Sequence, residues 1–253
     1  MRNTVGQESV QEIHREIDRA IKSTLNVILE GENGVGKDHF ARMIHQSRNW
    51  GGEFVVYDCE CSIRDRTRIV EEFISSVVFQ KLLRSKKNTF LIRRIDLLQP
   101  HLLSRLSDFV DELDKRGAFR RSEILTLGII GSLQTSEYKK SPANTKLDKF
   151  LSRLFRLKIT VPPLRERKKE IPQLVQRYVS LFNKEQKRNV LGITSEALEI
   201  LFQYNWPDNI CELRREIERA ATLTKDYGSI KPSSLSEILT KSISEKNRIP
   251  SQK

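Results

Sequence analysis

Apolar residues in the first part of the chain recur with a helical period. Val10, Ile13, Ile17, Ala20 and Ile21 share one face between Glu8 and Lys22, which predicts a helix. The period then gives way to the apolar run "LNVILEG", the pattern of a strand buried on both faces. After a glycine-rich turn, "KDHFARMIHQS" places Phe40, Ala41 and Ile44 on one helical face, and "GEFVVYDC" reads as a second short strand. The same reading predicts a helix over Arg68 to Leu83, a strand in "NTFLIRRI", an amphipathic helix in "QPHLLSRLSDFVDELDKRG" stopped by Gly117, and a buried strand in "EILTLGIIGSL". The polar stretch "SEYKKSPANTK", with its proline, is expected to be a surface loop.

Strands alternating with helices imply an α/β fold, a mostly parallel sheet flanked by helices. Beyond "ITVPPLRERKKEIP" the pattern predicts helices only, in "EIPQLVQRYVSLFNKEQ", "TSEALEILFQY" and "NICELRREIERAATL". The expected organisation is therefore an α/β core over residues 1–163, a small all-helical domain over 164–240 and a polar tail over 241–253. No internal repeat or low-complexity segment interrupts it.

Composition narrows the functional classes. A chain of 253 residues buries a core without needing disulfides or a metal. Its three cysteines, Cys59, Cys61 and Cys211, form no CxxC pair, and its four histidines are scattered, so neither a disulfide framework nor a zinc site is expected. Apolar runs are too short for a membrane span and the first residues lack a secretion signal, so a cytoplasmic protein without membrane contact is expected. The net charge of +12 is spread: 28 basic against 21 acidic residues over 1–160, and 17 against 12 beyond. That distribution favours a basic solvated surface over a dedicated nucleic-acid tail, with nucleic-acid contact kept as an alternative.

The chemistry-bearing stretch is "GENGVGKD", comprising Gly31, Glu32, Asn33, Gly34, Val35, Gly36, Lys37 and Asp38. It meets the pattern G-x-x-x-x-G-K between a predicted strand and a predicted helix. Glycines there let successive N–H groups converge on phosphate oxygens, Lys37 adds a cation, and the helix start adds its dipole. The expected ligand is ATP or ADP. The hydroxyl that commonly follows the lysine and serves Mg2+ is replaced by Asp38, which leaves the need for Mg2+ open.

The run "GENGVGKDHFARMIHQSRN" resembles the "GESGTGKE...ARAIH..S.R" region in the AAA+ domain of NtrC-like bacterial enhancer-binding proteins, activators of sigma-54 RNA polymerase. The resemblance continues in "GEFVVYDC", in "RLFRLKITVPPLRERKKEIP" and in "WPDNICELRREIERA", and extends from about Val5 to Leu239. It implies an AAA+ P-loop NTPase fold with a helical lid, ring assembly, and ATP held between subunits. It also implies partners: another copy or another AAA+ subunit, and the transcription machinery. Where the family carries an Asp-Glu pair for Mg2+ and the attacking water, this chain carries Arg93 and Arg94. In a rival register Asp96 is the metal residue, on the same strand face as Arg94.

Other family positions differ too. The GAFTGA hexapeptide that grips sigma-54 has no counterpart, and no glycine occurs between Cys59 and Arg93. Cys211 stands where the lid arginine would be, and its thiol is expected to pack as a small apolar group. The sensing Asn after the fourth strand is replaced near Ser132 to Gln134. Of two arginines that act on a neighbouring subunit's nucleotide, Arg153 aligns with one and Leu147 occupies the other place. "PPLRER", Pro162 to Arg167, is expected to fix the joint between core and lid. These departures predict an AAA+ regulatory or assembly module that binds nucleotide and hydrolyses it weakly or not at all, with no catalytic and no metal residues of its own. The alternatives are an active ATPase using Asp96 and Arg153, and a nucleotide-independent DNA-binding or scaffold protein.

Overall fold

A computed structural model describes residues 5–23, 25–49, 51–83, 87–115, 128–136 and 144–239. They form two compact units. The described residues of Gln11–Glu32 and Gly36–Val161 make a sheet unit, and the described residues of Met1–Val10, Asn33–Val35 and those from Pro162 onward make a helical unit.

The chain runs α1 (Val5–Lys22), β1 (Val27–Gly31), α2 (Lys37–Arg48), β2 (Gly51–Asp58), α3 (Ile63–Leu83), β3 (Lys87–Arg93), α4 (Pro100–Lys115), β4 (Gly128–Gln134), α5 (Asn144–Leu154) and β5 (Leu157–Thr160). All five strands pair in parallel in the order β2-β3-β4-β1-β5. This confirms the α/β class. Parallel strands need covering on both faces, which explains why β1 and β4 read as continuous apolar runs.

On one face Ile28, Phe90, Ile92, Ile129 and Leu133 pack with Val70 and Phe73 of α3 and with the apolar stripes of α4 and α5. Phe73 is the hub, meeting Tyr57, Phe90 and Phe109 edge-on with ring centroids 5.4, 6.0 and 6.4 Å away. Gly131 on β4 lets this layer close, because a Cβ there would lie 2.6 Å from both Ile28 Cδ1 and Phe155 Cζ. The alternating residues Val27, Leu29, Leu91 and Ile130 are buried as well, and from their side α2 sends His45 to share a 2.8 Å hydrogen bond with Thr89 Oγ1. The buried Arg48 at the end of α2 donates to Ala20 O in the last turn of α1 and to Leu25 O just beyond it, both at 2.8 Å.

Several expectations are corrected. α3 begins at Ile63 rather than Arg68, because Ser62 caps it: its hydroxyl accepts from Asp65 N and donates 2.6 Å to the Asp65 carboxylate. Helix α5 begins inside the expected loop, at Asn144, and β5 completes the sheet. The stop at Gly117, the start of "EILTLGIIGSL", the middle of "SEYKKSPANTK" and the tail from Lys241 lie outside the described residues.

The helical unit contains α6 (Ile171–Gln186), α7 (Ser195–Gln203) and α8 (Asn209–Leu223). It is not purely helical, since β6 (Gly192–Ile193) and β7 (Ser229–Ile230) pair in parallel. Its core centres on the fully buried Trp206, whose ring meets Tyr204 edge-on and whose Nε1 donates 2.9 Å to Leu201 O.

Candidate functional site

In open parallel sheets the ligand crevice lies at the carboxyl ends of the strands. Here β1 ends at Gly31 and α2 starts at Lys37, so residues 32–36 form the connecting loop and the predicted stretch 31–38 spans it together with its two ends. Gly34 and Gly36 both have positive φ, 71° and 90°, which side-chain-bearing residues adopt at a cost. Lys37 turns its ammonium back across the loop and donates to Gly31 O at 3.0 Å and to Glu32 O at 2.7 Å. Its charge is thereby held over the loop's own backbone.

The tip of the loop, Asn33 to Val35, belongs to the helical unit. Asn33 O accepts from Asn209 Nδ2 at 2.8 Å, Gly34 O accepts from Ile210 N at 3.0 Å, and Val35 O accepts from the Arg167 guanidinium. Arg167 also donates to Pro162 O and to Glu170, and burial pulls its pKa down. Thus the last arginine of "PPLRER" bonds to the loop itself.

At the ends of β2 and β3, Asp58 and Arg93 are neighbours in register. Arg93 forms ion pairs with both Asp38 and Asp58, the latter at 2.6 Å. The hydrogen bond to Asp38, aided by that to Asp58, pushes the guanidinium pKa up, so its charge is permanent. Lys37, Asp38, Asp58 and Arg93 together carry two positive and two negative formal charges.

Arg94 behaves differently from its neighbour. Strand β3 ends at Arg93, and Arg94 takes the left-handed conformation (φ 53°) that starts one turn of 3-10 helix over Ile95–Leu97. Its side chain is directed to Asp96, at 3.0–3.3 Å, and to Glu60 at 3.2 Å. The two arginines at the family's acidic pair therefore part: Arg93 pairs with Asp38 at the start of α2, and Arg94 with Asp96 and Glu60. The strand alternation assumed for Asp96 is broken by the same turn. Its carboxylate, 1% exposed, accepts from Arg94 through both oxygens and from Gln134 N at 3.1 Å, joining the ends of β3 and β4. Ser132 is buried, and its hydroxyl accepts from Arg94 N at 3.4 Å.

Arg153 lies on α5 and is bound within its own chain to Asp111, with Ser107 Oγ 3.4 Å away. Leu147 is a core residue. Cys211 is exposed, correcting the expectation that it packs inside; it falls off the stripe by which Leu213 and Ile217 bury α8. Burial pushes the Cys59 thiol up to about 12. Among the described residues no His, Cys, Asp and Glu gather as a metal cluster, and no helix is long and apolar enough to cross a membrane. The functional feature that sequence reasoning missed is the pair Asp58 and Arg93; the register of two parallel strands was the only signal for it.

The sigma-54 interaction domain profile matches residues 4–80, and the AAA+ ATPase lid domain profile matches residues 165–252. Among curated proteins, the chain is 28% identical over 247 residues to the phenol regulator MopR of Acinetobacter guillouiae, covering 93% of this chain and 44% of that protein. It is 29% identical to the transcriptional regulatory protein XylR of Pseudomonas putida, covering 87% and 40%, and 26% identical to ZraR of Escherichia coli O157:H7, covering 87% and 52%. The chain thus spans about half the length of these relatives or less. NtrX of Brucella abortus has the same fold, with TM-scores of 0.66 for its ATP complex and 0.68 for its ADP complex. Identities are 18% and 17%, and coverages are 91% of this chain with 55% of that chain, and 96% with 57%. With a parallel-sheet P-loop unit, a helical lid and these matches, the chain is similar to the AAA+ domains of the NtrC-like, sigma-54-dependent activators.

Proposed function

We propose that this chain is a nucleotide-binding AAA+ module of a transcription-regulating assembly, holding ATP or ADP without a need for Mg2+ and hydrolysing it weakly or not at all. The observation that carries this reading is Arg93, bonded at once to Asp38 and Asp58. A divalent ion beside a phosphate loop is held by oxygen donors. Here the two carboxylates nearest the start of α2 already share a fixed cation, and no hydroxyl follows Lys37. The donor set does not fit Mg2+.

The loop fits a polyphosphate better. Gly34, Val35, Gly36 and Lys37 supply backbone N–H groups, Gly34 and Gly36 shape the turn, and Lys37 supplies charge. In crystals the similarly folded NtrX is in complex with ATP and with ADP. A base for water is harder to find. Asp96 is engaged by Arg94 and Gln134 N, and Arg94 occupies the family's other acidic position. Helix α3 also runs unbroken over Ile63–Leu83, through the segment in which the family's hexapeptide would be sought. The module then works through assembly: nucleotide that favours one arrangement of the chain shifts its binding to another AAA+ subunit.

Calorimetric titration with ATP, in Mg2+ and in EDTA, tests this beside a phosphate-release assay. We expect affinities that agree within about threefold, a difference of well under one RT-scaled decade, and no turnover above background. Mg2+-stimulated hydrolysis abolished by Lys37→Ala would establish an active ATPase instead. Absence of binding at millimolar ATP would leave a scaffold.

A further inference from the structure

We infer that Arg167 and Asn209 are positioning residues for the phosphate loop: they set the direction in which its tip presents N–H groups to a polyphosphate. The inference rests on the reading of residues 31–38 as a phosphate site and deepens it.

In a trans peptide the C=O of one residue and the N–H of the next point in opposite directions. Three successive carbonyls at the tip are held from the helical unit: Asn33 O by Asn209 Nδ2, Gly34 O by Ile210 N, and Val35 O by Arg167. The N–H groups of Gly34, Val35 and Gly36 are therefore turned the other way, three in a row. Successive N–H groups sharing one direction make an anion-binding concavity.

Both residues are built for this task. Asn209 is fully buried with φ 54°, a conformation Asn tolerates better than most residues, and its Oδ1 accepts from Leu164 N at 2.8 Å. One amide thus joins "PPLRER", the start of α8 and the loop tip. Arg167 is buried too, although desolvation of a guanidinium is costly, and its donors are spent on Pro162 O, Glu170 and Val35 O. The approach is close enough that a Cβ on Gly34 would come 2.2 Å from Asp208 O. A rigid, carbonyl-anchored tip has its donors arranged before the anion arrives, and preorganisation of that kind raises affinity by lowering the ordering cost.

The test uses the full chain with tripolyphosphate and ATP as probes, comparing wild type with Arg167→Met, Arg167→Lys and Asn209→Ala. Titration is followed by calorimetry and by the amide 1H–15N signals of Gly34, Val35 and Gly36. Wild type should bind tripolyphosphate with these three amides shifting. Arg167→Met and Asn209→Ala should each weaken binding about tenfold, as loss of an organised hydrogen bond to a charged group does, and should shrink the amide shifts. Arg167→Lys, which keeps charge and one reach, should recover part of the loss. If the Met and Ala variants fold and bind like wild type with unchanged amide shifts, the positioning role is overturned while the phosphate site stands. If wild type neither binds nor shifts those amides, the phosphate reading fails and the inference with it. Hydrogen exchange on the wild type decides the matter should a variant not fold: tripolyphosphate should slow exchange in residues 164–170 and 206–212, and no slowing there overturns the proposal.

Discussion

Two adjacent arginines with one sequence signature have two fates, and a single backbone angle separates them. Arg93 is the last residue of β3 and faces Asp38 and Asp58, whereas Arg94 turns left-handed and joins Asp96 and Glu60. Replacing Arg93 with Ala strips the counter-charge from Asp38 and Asp58. Because the groups are more than a third exposed, the stability loss is discounted for solvent screening and is expected at about 1 kcal/mol or below. The larger effect is on metal use: two uncompensated carboxylates attract a divalent ion, so Arg93→Ala should gain Mn2+ binding by calorimetry and make ATP affinity sensitive to EDTA. His45 gives a pH prediction. Burial, reinforced by the charge of Arg42, lowers its pKa from 6.5, so the fold prefers the neutral ring and the unfolded chain takes up the proton first. Its contribution is complete above pH 6.5 and is lost as the pH falls through the depressed folded value. Thermal melts should therefore show a falling midpoint below pH 6.5, and His45→Gln should flatten that slope.

Elements were legible where their signal is local and hidden where it lies in a cap or a distant partner. The stripes of α1, α2, α4 and the three helices of the second unit are visible as period 3.6, and β1 and β4 as apolar runs. The first turn of α3 was not visible as a stripe, since Ile63 is exposed; its start is written instead in the S-x-x-D pattern of Ser62 and Asp65. Ser62→Ala should accordingly cost about 1 kcal/mol, a typical value for a lost N-cap, read as a lower urea midpoint with unchanged slope. The small pair β6 and β7 escaped because two residues per strand carry no period at all.

Across the whole molecule, ligand binding and folding are linked. Anything that binds the native chain alone stabilises it by mass action, so ATP at about a hundred times its dissociation constant should add about 2.7 kcal/mol. On the reading given above, the melting shift in EDTA should equal that in Mg2+, and Lys37→Ala should abolish both. The alternation of strands and helices and the glycine loop ending in Lys37 between the first strand and the second helix were determined by the sequence alone, because each is set by neighbours a few residues apart. Tertiary structure decided the rest: that Arg93 and not Arg94 meets Asp38, that Asp96 is engaged at the end of β4, and that Arg167 and Asn209 hold the loop tip. Those bonds span 38 to 176 residues of chain. No local period encodes which distant groups pair, since that depends on where each strand stops and which carbonyls the packed chain leaves to be satisfied.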